Sequence, residues 1–235
     1  MAKLILALMA DQQPDASGHR ARLRQRLLDG GPDALLDHEL VEYLLALVIP
    51  RRDTKPLARK LIDHFGGFGP LLSAEHEAIA RAGEISESAV AAIKIAQAAS
   101  LRLLESKFRQ APVLGSWQAL LDYLRADMAF NPVERVRVLY LDAKNRLIRN
   151  LPMSEGSVDE AAVYVREVIR KALDYHATAM ILVHNHPSGD PSPSQQDIRL
   201  TREIVEAARP LRISVHDHVI VGANGHASLR AMGLI

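Results

Sequence analysis

Hydrophobic positions recur at helical spacing from about residue 17 to residue 110. Two sets show the period most clearly: Leu36, Leu40, Leu44 and Leu45, and then Leu57, Leu61, Ile62 and Phe65. Glycines and a proline within residues 66–70 interrupt this pattern, and a long amphipathic stretch follows over residues 86–106. The first part of the chain is therefore predicted to be all-helical.

The rest of the chain alternates strand-like and helix-like patterns. Strands are predicted over residues 134–141, directly after a turn at residues 142–145, over residues 179–184, and over residues 212–221 ahead of a turn at residues 222–225. Residues 179–184 form an almost continuous apolar run, as in a strand that is covered on both faces. One helix is predicted to start at Pro193 and Ser194 and to run to about residue 208.

A further helix is predicted over residues 158–176. Ser157 and Glu160 have the spacing of a capping box, in which two residues bond to each other's backbone N–H groups at a helix start. The apolar positions of this helix define one face and are Ala162, Val165, Ile169, Ala172 and Leu173.

Between the two parts, residues 107–115 lose the hydrophobic period and include Pro112, which indicates a linker. The predicted organisation is a helical domain over residues 1–110 and an α/β domain over residues 111–235. The predicted fold class is therefore mixed α+β, with an all-helical N-terminal domain ahead of a domain that alternates strands and helices.

The composition excludes several functional classes. The chain has 235 residues, of which 48% are hydrophobic and 24% charged, as is usual for a globular protein. It has no cysteine, which excludes a disulfide framework, a thiolate zinc finger and a cysteine nucleophile, so any metal would be held by His, Asp or Glu. The formal net charge of +1 argues against electrostatic binding of a polyanion by the chain as a whole.

The first ten residues resemble a signal peptide only faintly. The apolar stretch after Lys3 is at the lower length limit of such regions, about 7 residues, and no convincing cleavage site precedes Asp11. No apolar run reaches the roughly 18–20 residues that span a bilayer. The sequence therefore predicts a soluble cytoplasmic protein with no membrane partner.

The strongest chemical signal is the segment HNHPSGDPSPSQQD, residues 184–197. His184 and His186 lie at alternate positions at the end of a predicted strand, so both side chains project to one face and can hold one ion. A loop with one glycine and three prolines favours a defined return path to Asp197, in the first turn of the next helix. Two histidines and one carboxylate are ligands typical of catalytic zinc, which keeps a fourth position for water.

The pattern H-x-H-P-x6-S-x2-D resembles the metal-binding motif of JAMM (MPN+) metalloproteases, and its flanks resemble the RadC family in particular. Further RadC-like segments are GHRARLRQRLL, ELVEYLLALVIPRRDTKPLARKLI, RVRVLYLDAKNRLI, MSEGSVDEAAVYVREVIRKAL and DHVIVG. The resemblance covers roughly residues 18–235. It implies a helix-hairpin-helix-like region followed by a JAMM/MPN-type α/β domain with a cytidine deaminase-like mixed sheet.

The resemblance also implies roles for five residues. His184, His186 and Asp197 match the ligands of one Zn2+ ion per chain, Ser194 matches the serine that binds the developing oxyanion, and Glu134 best matches the general base. Two alternatives stay open. Ser194 also fits a helix N-cap with Asp197 in the capping-box position. Glu155 competes with Glu134, because no local spacing fixes the glutamate.

A second His-x-His pair, His216 and His218, lies on the last predicted strand. No rigid loop and no carboxylate at a matching spacing follow it. We therefore expect His218 to have a structural role or to support the first metal site, rather than to form a separate one. Asp217 is expected to orient its neighbours through hydrogen bonds.

These observations predict a zinc-dependent hydrolase of JAMM type, with metallopeptidase or isopeptidase activity on an unidentified peptide or protein substrate. The alternative is a binding protein of DNA repair or recombination in which the metal site is structural. A nuclease fits least well, because nucleases commonly use two metals and several carboxylates.

DNA binding through the helical domain is expected to be weak. RadC-like proteins carry a hairpin whose glycines let a phosphate approach backbone N–H groups. Here Glu84-Ile85-Ser86 stands where the family pattern has Gly-hydrophobic-Gly, and Glu87 adds negative charge. Basic clusters at residues 20–26 and at Arg51, Arg52 and Lys55 are expected to form solvated surfaces, and any DNA binding should depend steeply on salt.

Overall fold

A computed structural model describes residues 16–109, 111–155 and 163–235. The chain divides into two compact units, Met1–Gln97 and Ala98–Ile235. The predicted mixed α+β fold class is confirmed, because the described part of the first unit is helical and the second unit contains a five-stranded mixed sheet. The predicted domain boundary at residues 110 and 111 stays a prediction.

Six helices cover most of the described residues up to the division. They are α1 (Ala16–Gly30), α2 (Asp37–Ala46), α3 (Lys55–Phe65), α4 (Phe68–Ser73), α5 (His76–Gly83) and α6 (Glu87–Ser106), which runs across the division. The core of this unit includes Val41, Leu45, Leu61, Ile79 and Ile93. Leu36 was expected on the apolar face of α2, but it precedes the helix in extended conformation and is 63% exposed.

The second unit alternates strands and helices along the chain. Its elements after α6 are α7 (Trp117–Met128), β1 (Arg135–Leu141), β2 (Leu147–Glu155), α8 (Val165–Asp174), β3 (Ala179–Asn185), α9 (Gln195–Ala208), β4 (Ser214–Gly222) and β5 (Gly225–Ser228). The strand order is β2-β1-β3-β4-β5. Only the pairing of β3 with β4 is parallel, and the other three pairings are antiparallel.

Each face of this sheet packs against helices, which explains why β3 is buried at every position. Alternation along β1 sends Leu139 into a core shared with α7, and Tyr140 into a core shared with α8 and α9. The predicted linker, residues 107–115, contributes the fully buried side chains of Phe108 and Val113 to the α7 core.

The helix predicted over residues 158–176 is shorter where it is described. It starts at Val165, because Tyr164 has an extended backbone, and it ends at Asp174. Residues 158–162 and the predicted capping box of Ser157 and Glu160 lie outside the described residues. The predicted apolar face was wrong at Leu173, which is 50% exposed, whereas Val168 is fully buried.

None of the described helices is both long and apolar enough to cross a membrane.

Candidate metal centre

His184, His186 and Asp197 come together at the end of β3. Each offers one ligand atom, and these atoms lie within 4.8 Å of one another. His184 is the penultimate residue of the buried strand, and His186 follows its last residue. Asp197 comes from the first turn of α9, which returns to the same face of the sheet.

A capping box at the start of α9 fixes Asp197. The Ser194 hydroxyl oxygen accepts a hydrogen bond from the Asp197 N–H at 3.1 Å, and the Asp197 Oδ2 accepts one from the Ser194 N–H at 2.7 Å. The alternative prediction that Ser194 is an N-cap thus describes its observed contacts. The hydroxyl still has its own hydrogen to donate, so capping and a catalytic role are compatible.

The tautomer of His184 follows from a chain of hydrogen bonds. The Thr201 hydroxyl donates to the Asp197 carbonyl oxygen, so its oxygen accepts from Nδ1 of His218 at 2.6 Å. Nε2 of His218 then carries a lone pair and accepts from Nδ1 of His184 at 2.7 Å. Nε2 of His184 is left with a lone pair, and this atom lies beside Nε2 of His186 and the Asp197 carboxylate.

His186 is oriented in the same way by the loop that follows it. Its Nδ1 lies 2.8 Å from the carbonyl oxygen of Asp190, which can only accept, so Nδ1 donates. In the neutral ring, Nε2 therefore carries the lone pair. A partner on the second ring nitrogen is the usual arrangement for a metal-ligating histidine.

The resulting donor set fits a zinc ion. The Nε2 atoms of His184 and His186 lie only 2.9 Å apart, and two facing lone pairs repel unless a proton or cation lies between them. The Asp197 oxygens lie 3.3 Å from Nε2 of His184 and 3.7 Å from Nε2 of His186. Ligands held ~2.0–2.1 Å from a tetrahedral zinc ion lie about 3.3 Å apart.

The surroundings shift the pKa of each of the three donor residues. Burial lowers the pKa of His184 to about 4, so the ring is neutral at pH 7. Interaction with Asp197 raises the pKa of His186 against the effect of its partial burial. Burial acts to raise the pKa of Asp197, but the two histidines and Ser194 outweigh it and hold that pKa well below its usual range.

The register of β1 against β3 sets Glu134 opposite His186, just outside the two strands. The antiparallel register pairs Val136 with His184, and extending it by two residues in each strand sets Glu134 against His186. Partial desolvation raises the pKa of Glu134, with the charge of His186 opposing this and that of Asp197 adding to it. Two of the three predicted ligands, His186 and Asp197, therefore influence this carboxyl group. The side chain of Glu155, the competing candidate, lies outside what the structure describes.

The loop after His186 packs closely on the turn between β4 and β5. The His186 N–H donates to the Val221 carbonyl oxygen at 2.9 Å, and the Asn224 N–H donates to the Gly189 carbonyl oxygen at 3.1 Å. A Cβ atom added at Gly222 would lie 2.3 Å from that same Gly189 oxygen. Only glycine at position 222 allows this contact.

The second His-x-His pair adds no ligand to the donor group. His218 is 1% exposed and contacts His184 and Thr201, whereas His216 bonds to the Asn145 side chain at 2.7 Å. Asp217 accepts hydrogen bonds from the His218 and Arg230 N–H groups and from the Ser228 hydroxyl.

Sequence reasoning missed three supporting residues: Asn185, Thr201 and Gly222. Only Thr201 left a local signal, because it lies four residues after Asp197 and so shares its face of α9. The contacts of the other two join segments that are far apart in the sequence.

Two comparisons with known proteins bear on this centre. A family model described as a RadC-like JAB domain matches residues 114–234, which include all three donors and Glu134. A UPF0758 protein from Rhodobacter capsulatus is 49% identical over 213 residues, which cover 91% of this chain and 100% of that protein.

Proposed function

This chain belongs to the RadC family, and on that premise we propose that it is a zinc-dependent hydrolase of JAMM type that cleaves amide bonds in a peptide or protein substrate. The family match supports a JAMM-type fold. The assignment of hydrolytic activity, of zinc and of a peptide or isopeptide substrate is our proposal from the chemistry of the site.

One observation carries the proposal: two histidine nitrogens and an ionised carboxylate converge, and the register of β1 against β3, extended by two residues, sets Glu134 opposite His186. His184, His186 and Asp197 would hold one zinc ion. Zinc with three protein ligands supplies Lewis acidity and lowers the pKa of a bound water toward ~7. A purely structural zinc site has four protein ligands as a rule, and three protein donors leave a position for reactants.

Glu134 is the proposed general base and then the general acid. It accepts a proton from the attacking water as the new C–O bond forms at the carbonyl carbon. It returns that proton to the leaving nitrogen as the C–N bond breaks, which yields a carboxylic acid and an amine. Its raised pKa makes the carboxylate a stronger base than an ordinary surface glutamate, which favours acceptance of the proton from water.

Ser194 is the proposed donor to the developing oxyanion. Its oxygen caps α9, which holds the hydroxyl group beside the Asp197 carboxylate. The hydroxyl hydrogen can then bond to a carbonyl oxygen whose negative charge grows only during the reaction. Donors that are preorganised in this way contribute mainly in the transition state.

Metal analysis and turnover together test the proposal. Purified wild type should contain about one zinc per chain, and His186→Ala should lose most of it, whereas the control His226→Ala, which removes an exposed histidine from β5, should not. Glu134→Gln should keep the zinc but lose about 10²–10⁴-fold in kcat on a panel of fluorogenic peptides and lysine isopeptides. The proposal would be contradicted if wild type bound no zinc even after reconstitution. It would also be contradicted if Glu134→Gln hydrolysed the substrates as fast as wild type.

A further inference from the structure

Asn185 separates the two histidines of the donor group but faces away from them. Side chains alternate along β3, so His184 and His186 share one face and Asn185 projects from the other. Asn185 is completely buried. A buried amide needs hydrogen-bond partners, and Asn185 finds them in the segment that leads into β1.

Three hydrogen bonds join the Asn185 amide to that segment. Its Oδ1 accepts from the Arg135 N–H at 2.9 Å. Its Nδ2 donates to the carbonyl oxygens of Asn131 at 3.2 Å and Val133 at 3.1 Å. The bonded carbonyl of Val133 and the bonded N–H of Arg135 belong to the two peptide groups that flank Glu134.

We propose that Asn185 is a positioning residue that fixes the backbone on both sides of Glu134 and thereby sets the carboxylate opposite His186. The proposal rests on the assignment of Glu134 as general base. β1 itself starts only at Arg135, so Glu134 lies just beyond the end of the strand. Asn185 supplies the support on the side that faces β3.

The chemistry of asparagine suits this task. Aspartate has the same shape but no donor, and its charge would repel the Asn131 and Val133 carbonyl oxygens. Alanine removes all three bonds and leaves buried backbone groups unpaired. One side chain thus couples the strand that carries the histidines to the segment that carries the proposed base.

The test compares Asn185→Ala and Asn185→Asp with wild type and with Asn150→Ala. Asn150 lies on β2, where its amide bonds to the Tyr123 hydroxyl, and it serves as a matched loss of an asparagine amide. Three measurements are made. The first is the zinc content, and the second is hydrogen exchange at the Arg135 N–H in metal-free protein. The third is the broadening that bound Co²⁺ causes in the ¹³C NMR signal of the Glu134 carboxyl group. The Glu134→Gln spectrum assigns that signal.

Asn185→Ala should keep about one zinc per chain, exchange the Arg135 N–H about tenfold faster and reduce the Co²⁺ broadening of Glu134. Turnover should fall about 10²-fold in Asn185→Ala. Adding Asn185→Ala to Glu134→Gln should cause no further loss of turnover beyond that of Glu134→Gln alone. Asn185→Asp, which keeps the volume and the acceptor oxygen, should show the reduced broadening even if the alanine variant fails to fold. Asn150→Ala should match wild type throughout.

Two outcomes would overturn the inference. One is unchanged broadening of Glu134 in folded variants of Asn185. The other is loss of zinc in Asn185→Asp, which would mean that Asn185 supports the histidines instead. If zinc-loaded wild type hydrolyses no substrate in the panel, the proposed function fails by itself, because neither exchange nor broadening depends on turnover.

Discussion

Nε2 of His218 lies 2.7 Å from Nδ1 of His184, and both rings are buried. The Thr201 hydroxyl, bonded to the Asp197 carbonyl oxygen, determines which nitrogen of His218 carries the hydrogen. His184 therefore donates a hydrogen bond to His218, and His218 donates one to Thr201. This arrangement leaves the lone pair of His184 on Nε2, where it can bind a metal.

Replacing Thr201 with valine should weaken zinc binding. The substitution keeps the volume but removes the oxygen that accepts from Nδ1 of His218. His218 can then adopt the other tautomer and donate from Nε2 toward His184, which conflicts with the donor on that ring. Loss of such outer partners typically costs 10–100-fold in metal affinity, and we expect roughly tenfold here. Competition with a chromophoric chelator measures it.

Thr201→Ser provides the matched control for that experiment. It retains the hydroxyl group and should bind zinc as wild type does. Equal zinc affinity in the valine and serine variants would show that the Thr201 oxygen has no part in orienting His184.

Gly222→Ala should destabilise the protein and displace the loop that follows His186. The new Cβ would lie 2.3 Å from the Gly189 carbonyl oxygen, so the loop that carries His186 must move. Overpacking of this kind costs about 1–3 kcal/mol. Urea unfolding and zinc affinity measure the two effects. Gly115→Ala meets no atom within 4 Å and is the control, and equal stability of the two variants would contradict the prediction.

Three variants of Ser194 separate its cap from its proposed catalytic donor. Ser194→Ala should lower stability by about 1 kcal/mol, because a side-chain cap of α9 is lost, whereas glycine at an N-cap costs only a few tenths. Removal of an oxyanion donor lowers kcat by about 10²–10³-fold, so we expect this loss in both Ser194→Ala and Ser194→Gly. Ser194→Thr should keep stability and most turnover. If Ser194→Gly kept full turnover, Ser194 would act only as the N-cap of α9 and not as an oxyanion donor.

Local sequence pattern predicted the parts of the site that short segments determine. The apolar run of β3 and the alternation of His184 and His186 placed both rings on one face. The spacing of Ser194 and Asp197 gave the capping box at the start of α9. Glu134 could be placed only through the resemblance, because its approach to His186 depends on the register of β1 against β3.

The remaining contacts depend on pairings that no local pattern contains. Asn185 bonds to residues 50 to 54 positions earlier in the chain, and Gly222 meets a loop 33 positions earlier. The side chains involved are common and carry no sequence signal of their own. Leu173 shows the same limit for packing, since helical periodicity fits it as well as Val168 and only the observed placement of α8 exposes it.

The hairpin between α5 and α6 is predicted to bind duplex DNA weakly. Glu84 occupies the left-handed position at the end of α5, and its carboxylate pairs with Lys60 at 3.0 Å. A phosphate approaching this turn would meet a negative side chain where glycine would leave the backbone open. Fluorescence anisotropy with a labelled duplex at several salt concentrations should show only weak, steeply salt-dependent binding. Salt-resistant, sub-micromolar binding would contradict this prediction. Glu84→Gly should bind the duplex more tightly than wild type.

Metal-free protein should lose stability as the pH falls from 6.5 toward 4. Burial lowers the pKa of His184 to about 4, whereas an unfolded histidine titrates near ~6.5. The unfolded chain therefore takes up a proton in this range that the folded chain does not, which favours unfolding. At about 1.4 kcal/mol per pKa unit, the loss approaches ~3 kcal/mol at pH 4. Burial lowers the pKa of His218 as well, which acts in the same direction.

His186 and Asp197 do not reverse this trend within that range. The raised pKa of His186 adds stability that is complete once the pH is below ~6.5. The lowered pKa of Asp197 adds stability that is lost only below ~3.9. Urea unfolding with a chelator present, between pH 7 and 4.5, measures the slope. His184→Gln should flatten it and His226→Gln should not, and equal slopes in these two variants would mean that buried His184 is not the group responsible.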